Sequence, residues 1–172
     1  MKELKLMIDK NELISKVDDL ARLINEKYEG QEVIFLGVMN GAFFFMHDLI
    51  KRIKVDFDYD FLFCSSYYGG VESKGKVDFI YPNKANVRGK VVIVLEDIID
   101  TGKTIDKVIS ELLKYKPKSI NVSSLFLRKN CPLEFELFWY GYKIKNEFIV
   151  GYGLDYDEKY RNLEGVYELS IK

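Results

Sequence analysis

The sequence is short of the residues that build disulfide-stapled and zinc-stapled scaffolds. Among 172 residues there are two cysteines, three prolines, one histidine and one tryptophan. Cys64 and Cys131 form no C-x-x-C pair, and His47 stands alone, so no zinc-ligand spacing and no disulfide framework is present. Both cysteines fall in apolar or strand-like stretches and read as buried free thiols, as expected of a cytoplasmic protein. Neither sign of charge dominates: 26 Lys and Arg against 27 Asp and Glu leave a net charge of −1. Without a basic excess, nucleic acid and anionic membrane are disfavoured as partners, although a small anionic ligand can still bind locally. Long apolar runs are missing as well. The longest, around Gly41 to Met46, is far below the roughly 20 residues needed to span a bilayer. The opening Met-Lys-Glu-Leu-Lys carries the expectation of no signal peptide.

What is present is an ordinary globular balance, 48% hydrophobic and 31% charged, in a length that fits a single domain over residues 1–172. No internal repeat, low-complexity tract or linker divides it, and Pro82, Pro117 and Pro132 fall in turn-like places. Leu13, Val17, Leu20 and Ile24 predict a helix from about Lys10 to Tyr28, closed by Gly30 in a C-cap position. A strand is expected at 33–38 and a second helix from Asn40-Gly41 to about Ile53. Val55, Phe57, Tyr59, Phe61 and Phe63 alternate with Asp56, Asp58 and Asp60, which reads as a strand with a solvated stretch. Gly69, Gly70 and Gly75 mark 65–76 as a flexible loop, with a returning strand at 77–81. The run 91–95 suits a strand buried on both faces. A helix carrying Ile105, Val108, Ile109, Leu112 and Leu113 follows, stopping at Lys116-Pro117, and strands are expected at 120–127, 148–154 and 166–171. Strands alternating with helices predict an α/β fold with a mainly parallel central sheet flanked by helices. Its ligand is expected beyond the carboxyl ends of the strands.

The chemistry concentrates in Glu96-Asp97-Ile98-Ile99-Asp100-Thr101-Gly102-Lys103-Thr104. This is a buried strand, two adjacent acids, a short loop with a third acid, and then a helix start. The loop backbone and helix N-terminus offer unpaired N–H groups and the positive end of the helix dipole, a seat for phosphate. Gly102 permits close backbone approach, and Thr101 and Thr104 add hydroxyl donors. Gly102-Lys103-Thr104 is not a Walker A loop, because the glycine required five positions earlier is Asp97. Carboxylates beside a phosphate seat suit ribose hydroxyls instead.

All nine residues resemble the phosphoribosyl pyrophosphate signature of type I phosphoribosyltransferases, in the version carried by hypoxanthine-guanine enzymes. That resemblance implies that Glu96 and Asp97 bind the ribose hydroxyls, that Asp100 to Thr104, Lys103 included, hold the 5′-phosphate, and that Asp100 is the general base at purine N7. It covers about Phe35 to Leu163 and carries further expectations. Phe148 would stack on the purine, with Ile149 and Ile98 beside it. Asp155, with Glu96 and Asp97, would hold Mg²⁺, and Arg161 would meet the pyrophosphate. Asn40 and Gly41 would line the pyrophosphate loop, where many relatives carry Lys in place of Asn40. Ser66 and Tyr67 would belong to a flexible lid. Arg128 stands where relatives place a Lys that donates to the purine 6-oxo group, and Arg is not a simple replacement for Lys.

Other readings compete at several of these positions. An aromatic in a strand is ordinarily core, Asp155 and Arg161 can be a surface pair, and Asn40-Gly41 can be a plain turn. The family further implies a small hood formed by parts of both terminal segments, homodimers or homotetramers, no organic cofactor, and small-molecule substrates, namely phosphoribosyl pyrophosphate and a purine base. A xanthine-preferring enzyme and a nucleotide-sensing regulator on the same fold are the alternatives.

Overall fold

The computed structural model describes residues 2–66, 77–80 and 86–171. In chain order the elements are β1 (Lys2–Ile8), α1 (Lys10–Lys27), β2 (Val33–Met39), α2 (Phe43–Ile50), β3 (Phe57–Ser66) and β4 (Val77–Ile80). They are followed by β5 (Val91–Ile99), α3 (Lys103–Leu113), β6 (Ser119–Arg128), β7 (Leu137–Ile144), β8 (Ile149–Val150) and β9 (Val166–Ile171). The central sheet has the order β4-β3-β2-β5-β6-β7. Its pairs are parallel from β3 through β7, and β4 joins β3 antiparallel. A second, antiparallel sheet of order β1-β9-β8 is built from the two ends of the chain.

Alternation on β2 and β5 divides the core. Phe35, Ile93 and Leu95 point to the side covered by α1 and α2, where they meet Leu13, Val17, Leu20, Ile24, Phe45 and Leu49. Ile34, Leu36, Val92 and Val94 point to the α3 side and meet Ile105, Val108 and Leu112. The two strands are therefore buried on both faces, the arrangement that permits their near-continuous apolar sequence. Cys64 and Cys131 are free thiols. Burial pushes the Cys64 thiol up to about 11, which leaves it unreactive at neutral pH.

Helix α1 begins where expected because Asp9 and Glu12 form a reciprocal capping box. Its end differs slightly. The cap is Tyr28, whose N–H bonds Ile24 O at 3.0 Å, and Gly30, at φ 71, turns the chain after it. Helix α2 stops at Ile50, short of Ile53. There the bonds tighten to Arg52 N→Leu49 O and Ile53 N→Ile50 O, and Arg52 Nη1 takes the carbonyl of Asp48 at 2.7 Å.

Four further differences have physical reasons. Strand β5 runs past the expected 91–95 to Ile99, so Glu96 and Asp97 stand on the strand itself. The expected strand 148–154 is cut to Ile149–Val150, because Gly151, Tyr152 and Gly153 take φ of 100, 51 and 102. Strands β1 and β7 were not anticipated. β1 does alternate Leu4, Leu6 and Ile8, but only Ile8 is buried; β7 is aromatic, half-buried and without period-two polarity. On β3 the polarity is inverted: Asp60 is 3% exposed, whereas Phe57, Tyr59 and Phe63 are 37%, 48% and 43% exposed. α1 and α2 pack over β2, β5 and β7 and leave that aromatic row open.

Candidate active site

The carboxyl ends of β2, β5 and β6 supply the turns on which most of the predicted residues stand. Where β5 ends, Gly102 (φ 79) turns the chain into α3 without any side-chain cap. The first helical bond is Asp106 N→Gly102 O, so the preceding N–H groups have no partner within the helix. Thr101, Lys103 and Thr104 commit their side chains to no hydrogen bond or ion pair among the described residues. This end of α3 is thus a set of unused donors under a positive helix dipole, which is what a phosphate requires.

Beside it, β2 delivers the Asn40–Gly41 turn across a cis Met39–Asn40 peptide bond. Gly41 lies so close to Asp97 that a Cβ there would stand 1.8 Å from Asp97 Oδ2. Gly153, arriving from the opposite side, lies so close to Gly41 that its own Cβ would stand 2.0 Å from the Gly41 carbonyl oxygen. Backbone, backbone and carboxylate are stacked with no room for side chains, and two glycines are the only residues that permit it. Arg161 completes this corner: Nη1 donates to Gly153 O at 2.7 Å and Nη2 pairs with Asp155 at 2.9 Å. The Asp155–Arg161 pair therefore sits at the same corner as Gly153, Gly41 and Asp97.

Glu96 is buried, and its Oε2 has no hydrogen-bond partner among the described residues. Burial, and then the adjacent Asp97 carboxylate, hold the Glu96 carboxyl well above its ordinary range. Asp97 is also raised by burial, against the opposing effects of Glu96, the Ile98 N–H and the Arg161 charge. The orphaned Glu96 oxygen is a buried polar atom awaiting a partner. A vicinal diol would supply one.

At the end of β6, Arg128 Nε pairs with Asp100 Oδ1 at 2.9 Å. Its Nη1 donates to the carbonyls of Lys145 and Glu147, each at 2.8 Å. The guanidinium is pinned at three points, and Asp100 is left 65% exposed toward an open cavity of about 590 Å³. Arg128, Lys129, Cys131 and Lys145 also line this cavity. Phe148 is 48% exposed and meets Tyr156 edge-on at 5.7 Å, so it is not the core aromatic that its strand context would give. Ile149 is buried and pairs with Glu168 on β9, whereas Ile98 packs at the edge of the core.

Glu96, Asp97 and Asp155 do not converge on a common metal position; among the described residues no group of three or more His, Cys, Asp and Glu side chains does so. Asp155 is drawn instead to Arg161. Of the expected lid, the Ser66 side chain and Tyr67 lie outside the described residues. Sequence reasoning missed Gly153 as a contact, the carbonyls that hold Arg128, and the Tyr152–Asp48 hydrogen bond of 2.7 Å. The Gly-Tyr-Gly run after an apolar pair was a signal for the first; nothing marked Asp48.

The sequence pattern of the phosphoribosyl transferase domain matches residues 7–157. The hypoxanthine-guanine phosphoribosyltransferase of Lactococcus lactis is 37% identical over 160 residues, covering 92% of this chain and 87% of that protein. The bifunctional protein TilS/HprT of Listeria monocytogenes is 42% identical over 161 residues, and the match covers only 25% of its length. This chain thus spans about a quarter of that relative. The crystal structure of a hypoxanthine-guanine phosphoribosyltransferase from Bacillus anthracis superimposes with a TM-score of 0.90 at 36% identity, covering 99% of this chain and 100% of the other.

Proposed function

The chain belongs to the phosphoribosyl transferase family, and on that premise we propose that it is a purine salvage enzyme. It transfers the 5-phosphoribosyl group from phosphoribosyl pyrophosphate to hypoxanthine, guanine or both, giving IMP or GMP and pyrophosphate. The observation that carries the reading is the exposed Asp100 beside both the open N-terminus of α3 and the three-point-held Arg128. A purine stacked on Phe148 reaches that carboxylate while the 5′-phosphate rests on 100–104.

In the reaction, purine N9 attacks C1 of the ribose and the C1–O bond breaks, its electron pair leaving with pyrophosphate. The purine N7 proton passes to Asp100. Positive charge grows on the sugar as negative charge grows on the leaving group. Arg161 and the backbone at Asn40–Gly41 meet the latter, and Glu96 and Asp97 take the ribose hydroxyls. Arg128 and the strand edge at Ile149 and Ile98 border the base.

The donor set fits Mg²⁺ in the manner usual for that ion, one or two carboxylates with the remaining positions taken by water and substrate oxygens. Asp155, with Glu96 or Asp97, would hold it, and when bound it neutralises pyrophosphate charge. The β1-β9-β8 sheet would act as the hood of one domain, since Phe148 emerges directly before β8. The open row Phe57, Tyr59 and Phe63 supports assembly into homodimers or homotetramers. Small-molecule substrates and a cytoplasmic location complete the reading. Among the described residues no helix is long and apolar enough to cross a membrane.

The test is a spectrophotometric assay with phosphoribosyl pyrophosphate and Mg²⁺, offering hypoxanthine, guanine, xanthine, adenine and uracil separately. Turnover of hypoxanthine or guanine is expected. Turnover of xanthine alone keeps the reaction and overturns the substrate, and no turnover of any base defeats the proposal.

A further inference from the structure

Outside every residue given a role above, one contact ties together the two segments that face the leaving group. Tyr152 is 5% exposed, and its hydroxyl donates to Asp48 Oδ2 at 2.7 Å. Its ring lies 6.3 Å from that of Phe44. Its backbone, at φ 51, occupies a region that a bulky residue keeps only when its surroundings enforce it. The same residue's N–H bonds Leu163 O at 2.8 Å, and the Gly153 N–H bonds Arg161 O at 3.0 Å, so Tyr152 moves with the loop that carries Asp155 and Arg161.

Asp48 belongs to α2, the helix that continues from the Asn40–Gly41 turn. It is about 8 Å along the axis from Phe43, the first helical residue. The loop therefore meets the α2 segment twice: Gly153 closes on the Gly41 carbonyl at its head, and Tyr152 closes on Asp48 further down. A single contact would leave the loop free to pivot about Gly153, whereas two separated contacts fix its orientation.

We propose that Asp48 and Tyr152 are positioning residues for the pyrophosphate end of the site, setting Arg161 and Asp155 against the Asn40–Gly41 turn. The inference rests on the phosphoribosyltransferase reading.

The experiment compares wild type with Asp48→Ala, Asp48→Asn, Tyr152→Phe and His47→Gln. The His47 variant controls for the neighbour whose Nδ1 lies 3.2 Å from Asp48 Oδ1. Readouts are kcat and KM for each substrate, Kd for Mg-pyrophosphate by calorimetry, and melting temperature. Asp48→Ala and Tyr152→Phe should each raise KM for phosphoribosyl pyrophosphate and Kd for Mg-pyrophosphate by roughly threefold to tenfold, the scale of one lost hydrogen bond. KM for the base should stay within about twofold. Asp48→Asn keeps an acceptor for the tyrosine and should behave as wild type, as should His47→Gln. Alanine sits well on a helix, so Asp48→Ala tests the idea even where Tyr152→Phe folds poorly. The proposal is overturned if Asp48→Ala weakens both substrates alike, changes only the melting temperature, or is matched by Asp48→Asn. A wild-type protein that turns over no base would sink the functional reading, while the Mg-pyrophosphate titration would still judge the clamp.

Discussion

Replacing Glu96 by Gln should make the substrate-free protein more stable at neutral pH while abolishing its activity. Glu96 is buried beside a second carboxylate, with one oxygen unpartnered among the described residues, and its carboxyl is raised well above the ordinary range, first by burial and then by Asp97. A carboxyl whose folded pKa is raised contributes stability in full below its unfolded value, near 4.5, and loses it as pH rises toward the folded value. Across that window the folded state binds one proton that the unfolded state has released. Stability therefore falls by about 1.4 kcal/mol for each pH unit. For a chain of this length about 1 kcal/mol moves the melting temperature by roughly 2–4 °C, so each pH unit should lower it by roughly 3–6 °C. Gln remains neutral at every pH and can donate to Asp97 through Nε2, so the variant should lose most of that slope and melt above wild type from pH 7 upward. Asp97 is raised in the same direction and leaves a smaller residual slope. The assay is a series of thermal melts of both proteins between pH 5 and 8. Parallel slopes in wild type and variant would refute the protonated-Glu96 argument.

Other outcomes follow from the same geometry. Asp100→Asn should lower kcat roughly 10²- to 10⁴-fold, the range of a lost general base, with an unchanged melting curve because the carboxylate is mostly exposed. Phe148→Ala should raise KM for the purine roughly fivefold to a hundredfold, the worth of a base-stacking contact, and change stability by no more than about 0.5 kcal/mol, measured by denaturant titration. Gly153→Ala should lose more than about 2 kcal/mol of stability, since a Cβ at φ 102 would overlap the Gly41 carbonyl. Gly30→Ala, also left-handed at φ 71 but with open space around it, should lose only about 1 kcal/mol in the same titration.

The sequence discloses contacts that recur at a fixed spacing and conceals those made across the fold. Helix α1, strands β2, β5 and β6, and the turn at the start of α3 were legible because each is a local pattern: an apolar period, a continuous apolar run, an acid-rich turn before Thr-Gly-Lys-Thr. Strand β1 was passed over for the complementary reason. It buries only Ile8, so its period carries little apolar contrast, and its pairing partner β9 lies at the other end of the chain. The same division runs through the site. Glu96 to Thr104 could be named from one stretch of chain. The stack of Asp97, Gly41 and Gly153 joins residues 112 positions apart: the parallel strands β2 and β5 bring Gly41 and Asp97 together, and the loop after the antiparallel β8 closes on them. Arg128 shows how the two levels combine. Its position was legible, but its consequence was not: the guanidinium spends its donors on Asp100 and on two carbonyls before β8. A lysine has no planar fork with which to make these contacts from fixed directions. The departure from the family's usual Lys is therefore also a change in how Asp100 and the 145–147 loop are held together, and base preference in this chain must be judged with that loop in place.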